Sequence, residues 1–421
     1  MIKIERYEKS GESIAPSYGR AEISAAVSEI IADVRRRGDE ALIDYALKFD
    51  GVRLKGLAVT EEEFAAAERE VEPGLKKIIA AAAENIRQFH KRQIREGFSV
   101  TREDGSVVGQ RIIPIERAGL YVPGGTAAYP STVLMSAIPA AIAGCKEIVM
   151  TTPPKKDGKI PAAILYAAHA AGVTKVFKSG GAQAIAALAF GTESVPRVYK
   201  IVGPGNAYVA EAKRQVYGQV SIDMIAGPSE ILIIADGSAN PRFIAADLLS
   251  QAEHDKNARA MLVTDSEDLA RAAAEETERQ LNALSRGDIA RASIENNGRI
   301  YIVKDMEEAA EAANLLAPEH LELCVKDPFS MLDKVKNAGS VFLGNYCPEA
   351  LGDYMAGPNH TLPTSGTARF SSPLSVDDFI KKSQYIYYPK EAFGRVYKDV
   401  AGFAAAEGLT AHAKSAEIRF E

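Results

Sequence analysis

The chain lacks any apolar run long enough to cross a bilayer. Its longest, STVLMSAIPAAIAG, is about 14 residues, against the roughly 18–20 that a spanning helix needs. The opening MIKIERYEKSGESI lacks the apolar stretch of a secretory leader. Cysteine is scarce. Cys145, Cys324 and Cys347 are scattered and form no CxxC, which argues against a disulfide framework and for a reducing, cytoplasmic setting. The net charge is −6 and the pI about 5.7, so nothing general draws the chain to nucleic acid or an anionic membrane. None of its glycine turns is GxGxxG or a GxxxxGK[ST] loop, and HExxH is absent. Low-complexity segments and solenoid repeats are missing too.

What is present is an ordinary globular composition over 421 residues, 47% hydrophobic and 25% charged. At roughly 150 residues per domain this suggests two or three domains. Residues 20–100 carry helical periodicity and abundant Ala, Glu, Lys and Arg. From about residue 118 apolar, strand-like runs alternate with glycine turns and helical runs: 118–123, 147–152, 175–180, 199–203 and 230–236. A second series follows at 260–265, 299–305, 320–327 and 339–345. Such βα alternation predicts parallel, doubly wound sheets. The expected fold is α/β, with two Rossmann-like parallel-sheet domains and N- and C-terminal helical extensions. Its expected parts are an extension at 1–18, a discontinuous first domain at 19–120 and 230–370, a second, dinucleotide-binding domain at 121–229, and a dimerisation tail at 371–421.

Three strand-to-helix junctions carry glycine pairs: VPGGTAAYPST, SGGAQAIAAL and VGPGNAYVAEAK. At the carboxyl ends of parallel strands such turns let a backbone approach a phosphate. Taken singly each is more often just a tight turn, so a nucleotide, a sugar phosphate or no ligand all stay open. Of six histidines, His90 and His169 read as packed or solvated helix residues. The other four, His254, His320, His360 and His412, lie near carboxylates or amides in sequence, the grouping that a zinc site or an acid–base site requires. Gln251 and His254 are three apart and would share a helix face. Pro318 disfavours helix at Ala317. Glu319 and His320 are adjacent, so they could meet in one site only from an irregular turn at a strand's start.

Together these stretches, with IDMIAGPSEILIIAD, DLLSQAEHD, APEHLEL, AGSVFLGNYCPEALGDYMAGPNHTLPTSG and GLTAH, resemble the histidinol dehydrogenase family over residues 117–412. The resemblance implies a zinc- and NAD-dependent, four-electron oxidation of L-histidinol through L-histidinaldehyde to L-histidine. It implies zinc on Gln251, His254, Asp353 and His412, and Glu319 and His320 as catalytic pair. Substrate contacts would come from Ser229, His360 and Glu407 with those residues, and NAD contacts from Tyr121, Gln183 and Asn206. It further implies a homodimer in which Glu407 and His412 reach the partner's site. Rival readings make Cys347 a nucleophile toward an aldehyde, the chain a zinc hydrolase without nicotinamide, or a binding protein without catalysis.

Overall fold

The computed structural model describes residues 1–8, 21–124 and 129–421. Fourteen strands run through them: β1 (Lys3–Arg6), β2 (Phe98–Thr101), β3 (Val107–Pro114), β4 (Arg117–Tyr121), β5 (Glu147–Thr152), β6 (Lys175–Lys178) and β7 (Lys200–Val202). They continue as β8 (Ser221–Ile222), β9 (Glu230–Ala235), β10 (Arg259–Thr264), β11 (Arg299–Ile302), β12 (His320–Cys324), β13 (Ser340–Leu343) and β14 (Ile380–Tyr387). Each apolar run taken as a strand is one, with ends that agree to within three residues. A mixed α/β fold with parallel sheets is therefore what the alternation predicts and what forms.

The chain divides into two units, residues 1–93 with 115–379 and residues 94–114 with 380–421. The first holds two parallel sheets. One has six strands in the order β1-β11-β10-β9-β12-β13, the other five in the order β6-β5-β4-β7-β8. Central strand β9, EILIIA, is buried along its whole length, as expected for a parallel strand covered on both faces. Each fully buried Ile or Leu in it contributes about 1.5–3 kcal/mol.

The helices of residues 21–91 pack differently from the expected grouping of 19–120 with 230–370. Val27, Ile31 and Val34 of helix Ala21–Arg37 share an apolar core with Ile185 and Leu188 of helix Gly181–Phe190. Ile79, Ala83 and Ile86 of helix Pro73–Lys91 share another with Met135 and Ile138 of helix Pro130–Ala143. These helices thus cover the five-stranded sheet. Periodicity shows that a helix has a buried face but not which sheet receives it. The expected extension at 1–18 also contains a strand. Lys3–Arg6 pairs in parallel with Arg299–Ile302 at the edge of the six-stranded sheet, while residues 9–20 lie outside those described.

The second unit is an antiparallel sheet, β14-β3-β2, with helices Lys390–Ala406 and Thr410–Glu417. The tail expected to be helical after 380 therefore opens with a strand. All of β14 beyond Ile380 is exposed, so it has no buried face to write an apolar pattern into the sequence. Among the described residues no helix is long and apolar enough to cross a membrane.

Candidate active site

The two parallel sheets present functional side chains at opposite strand ends. On the five-stranded sheet the glycine turns follow the carboxyl ends of β4, β6 and β7, where doubly wound sheets bind ligands. Tyr121 ends β4, and its buried hydroxyl accepts a hydrogen bond from Gly181 N at 3.1 Å. Gln183 is buried in the first turn of the next helix and folds over Gly181, where an added Cβ would lie 2.7 Å from Gln183 Oε1. Asn206 caps helix Ala207–Val216, its Oδ1 accepting from Tyr208 N at 3.0 Å and Val209 N at 3.2 Å. The turns of Gln183 and Asn206 thus flank Tyr121. The first glycine turn reaches past Gly124 into residues 125–128, which lie outside those described.

Gly203 presses against the Tyr121 carbonyl at φ +123°, leaving no room for a Cβ. A buried ion pair pins it. Lys213 Nζ donates to Gly203 O at 3.0 Å, and Asp223 Oδ2 accepts from Gly203 N at 2.8 Å. Gly203→Ala should therefore cost on the order of 3 kcal/mol or more, from backbone strain plus displacement of Tyr121. Urea unfolding checks it, and a loss under 1 kcal/mol would mean that the turn yields.

On the six-stranded sheet the functional groups stand at the amino ends. Glu230 is the first residue of β9 and His320 the first of β12. Helix Met306–Leu316 ends at Ala317, which takes the left-handed conformation at φ 48°. Pro318 follows, and this irregular turn delivers Glu319 and His320 together. Glu319 Oε2 accepts from Glu230 N at 2.8 Å. His320 Nδ1 lies 2.9 Å from Glu230 O and so carries the proton there. The two side chains are 3.6 Å apart. Burial pushes the His320 imidazole down to about 4, against the pull of Asp353 and the Glu230 carbonyl. Burial drives the Glu319 carboxyl well above its ordinary range, and repulsion from Glu230, Asp353 and Glu349 adds to it. Ser229, half-buried, precedes Glu230.

Helix Pro241–Ala252 brings Gln251 to the same region. Gln251 is 2% exposed and its Oε1 has no hydrogen-bond partner among the described residues. The helix stops at Ala252, so His254 lies in the following turn and not on the shared helical face. Asp255 Oδ1 accepts from Asn257 N at 2.8 Å, a local turn that competes with further helix. Helix Glu349–Tyr354 contributes Glu349 and Asp353. Their carboxylate oxygens and a His320 ring nitrogen lie within 4.8 Å of one another, close enough to hold a metal ion. His360 Nδ1 is 3.4 Å from Asp353 Oδ1. Burial alone would raise Asp353, but His360, His320 and His254 bring it below the ordinary value.

Glu407 and His412 belong to the second unit. Both are exposed and line one groove there with Val400, Phe403, Leu409 and Phe420. The other two histidines are a packed and a solvated helix residue: His90 is buried and hydrogen-bonded to Gln93, and His169 is exposed. Cys347 sits half-buried in the turn before Glu349.

Sequence reasoning overlooked three buried carboxylates. Glu349 is four residues before Asp353, a helical spacing that could have revealed it. Glu230 is the lone polar residue of β9, and Glu322 shares the short strand β12 with His320. Glu322 Oε1 accepts from Glu349 N at 2.8 Å, and its carboxyl, raised by burial and by Asp247, shares a hydrogen bond with Asp247. Such a concentration of buried acid is costly unless neutralised by protons or by a cation.

Two doubly wound parallel sheets with a buried carboxylate–imidazole cluster define an α/β enzyme equipped for acid–base chemistry, with a possible metal site. Comparison with known proteins narrows the class. The histidinol dehydrogenase profile matches residues 15–420. A histidinol dehydrogenase of Geobacillus kaustophilus is 55% identical, covering 100% of this chain and 99% of its own. Another, of Clostridium acetobutylicum, is 54% identical over 98% of this chain and 96% of its own. The crystal structure of histidinol dehydrogenase from Elizabethkingia anophelis matches with a TM-score of 0.93 at 40% identity, covering 99% of this chain and 98% of that one. The chain belongs to the histidinol dehydrogenase family and is an oxidoreductase.

Proposed function

We propose that the chain oxidises L-histidinol to L-histidinaldehyde and then to L-histidine, with zinc and two molecules of NAD in succession. The observation that supports it most directly is the paired placement of Glu319 and His320 on Glu230, beside the orphaned Gln251 oxygen and Asp353, in a member of this family. The donor set suits zinc: two imidazoles, a carboxylate and an amide oxygen are nitrogen and oxygen ligands of ordinary type, the amide being the weakest. Gln251, His254, Asp353 and the partner's His412 would hold it. Bound zinc supplies a Lewis-acidic anchor for the imidazole and amine of the substrate. Tyr121, Gln183 and Asn206 would hold NAD, which would supply the hydride acceptor.

The chain's own groups handle protons and position. His320 is neutral at pH 7 because burial disfavours its cation, and its Nδ1 proton is engaged by Glu230 O. Its Nε2 is therefore the basic atom, and it takes the hydroxyl proton of the alcohol as hydride leaves carbon. The aldehyde must then add water before a second hydride can leave. Glu319, once ionised, takes a proton from that water as its oxygen bonds to the carbonyl carbon. Ser229, His360 and the partner's Glu407 would orient the substrate.

The homodimer is part of the same proposal. The apolar walls of the groove beside Glu407 and His412 support it, with Phe403 73% exposed, since exposed apolar patches of this kind mark interaction surfaces. We further infer a cytoplasmic setting, supported by three free cysteines.

The test is NADH formation from L-histidinol with metal stripped and zinc then restored. Zinc-dependent release of two NADH per histidinol is expected. One NADH would remove the water-activating role of Glu319, and none with zinc bound would overturn the reading.

A further inference from the structure

Helix Pro130–Ala143 carries a proline in its interior. Pro139 has no N–H, so the carbonyl four residues earlier, Met135 O, loses its helical donor. Met135 is fully buried, and a buried carbonyl rarely stays without a partner. The donor comes from elsewhere in the fold. Asn359, 4% exposed, brings its Nδ2 to Met135 O at 2.7 Å. The same Nδ2 faces His90 Nε2 at 3.5 Å, and Asn359 Oδ1 accepts from Thr361 N at 2.9 Å. That last bond closes an Asx turn around the residue between them, His360. The turn alone would need only the Oδ1 bond. The Nδ2 bond ties it to a helix 224 residues away in sequence. Helix Pro73–Lys91 holds the same stretch. Asn85 Nδ2 donates to Met355 O at 2.7 Å. Gly357, at φ +103°, presses on Asn85 O, where an added Cβ would lie 2.7 Å away.

We propose that Asn359 is a positioning residue for His360: seated on the carbonyl that Pro139 frees, it locks the His360 main chain and so aims the imidazole at Asp353 and the substrate. The inference rests on the reading of His360 as a substrate contact. His360 lies in a stretch that belongs to no helix or strand, so its own secondary structure does not fix the ring. Functional groups on loops keep their geometry only when supporting hydrogen bonds hold the main chain. Here Asn359 supplies them on both sides of His360, whose Nδ1 stands 3.4 Å from Asp353 Oδ1. Asn359 and Asn85 both refer the loop to helices that share one apolar core over the five-stranded sheet. The substrate-side imidazole is thereby registered against the sheet proposed to hold NAD. Asn359 acts through His360 and not on the substrate.

The experiment is a double-mutant cycle on zinc-loaded enzyme. It reads L-histidinol kinetics, NADH affinity by fluorescence, and the imidazole signals of isotope-labelled histidine by NMR. Asn359→Ala should lower kcat/KM by about 10–10²-fold, the scale of a misplacement of roughly 1 Å. The loss should fall mainly on KM and leave NADH affinity unchanged. In a His360→Ala background the same substitution should cost less than about twofold, because the group it positions is gone. The His360 signal, assigned by its loss in His360→Ala, should shift or broaden in Asn359→Ala. A role in folding alone would lower kcat at constant KM and add in full to the loss from His360→Ala; either result overturns the inference. If Asn359→Ala fails to fold, Pro139→Ala decides. Its new N–H competes for Met135 O and should raise KM in the same direction by less, and an unchanged KM overturns the inference. Wild-type enzyme that makes no NADH from L-histidinol overturns the functional reading. The His360 signal then tests the positioning by itself: moved in Asn359→Ala it supports the inference, unmoved it overturns it.

Discussion

Glu319→Gln is expected to lower histidinaldehyde oxidation by roughly 10²–10⁴-fold, the range for loss of a positioned general base, with histidinol oxidation falling by less than about tenfold. Glutamine retains an oxygen for the Glu230 amide, which Glu319 Oε2 meets at 2.8 Å, so the turn and the neighbouring His320 keep their places. What it loses is the ability to take a proton from water. The enzyme should then release close to one NADH per histidinol and accumulate aldehyde, measurable by trapping with a hydrazine. The two half-reactions should also differ in pH dependence before any mutation. His320 is already neutral above about 4, so the first stage keeps its base well into acid. Glu319 is raised by burial and by its acidic neighbours, so the second stage gains its base only as pH rises further. Equal losses in both stages would remove the division of labour.

The second large effect tests the dimer. Asp353→Ala and His412→Ala homodimers should each be nearly inactive, since each lacks one ligand at every site. Co-expressed, they should recover about a quarter of wild-type activity, because half the dimers are mixed and each mixed dimer assembles one intact site, as two-fold symmetry dictates. Metal content should rise in step. If His412 served its own subunit, every site would lack a ligand and mixing would restore nothing. The apolar groove around His412 adds a cheaper check: Phe403→Glu should weaken dimerisation and activity together, read by sedimentation.

The parallel sheets were legible because strands buried on both faces write themselves as apolar runs, as EILIIA of β9 does. β14 was not, since both its faces are exposed and carry such residues as Lys381, Lys382 and Gln384, and its partner β3 lies far back in the chain. β1 was overlooked for the same reason: four exposed residues, paired only at the sheet's edge. The site was legible as far as its histidines went. Carboxylates next to imidazole draw attention in a sequence, and Glu319, Asp353 and His360 do lie around His320. Glu230 and Glu349 have no such neighbour, Glu322 stands two residues from His320, and the burial of all three is a property of three dimensions. The resemblance to the family carried the proposed roles, and the structure supplied what spacing could not: an amide oxygen without a partner among the described residues at Gln251, and the hinge of Glu319 and His320 on Glu230.

The pairing of β14 with β3 has a consequence for synthesis. Ile380 meets Pro114 and Tyr387 meets Val107, so the second unit gains its outer strand only when nearly the whole chain has been made. At roughly 5–20 residues per second, β3 waits on the order of 15–50 s for that strand. β1 waits slightly longer for β11. In a nascent chain the strands that carry Glu230 and His320 can therefore pair before the sheet of the second unit can close.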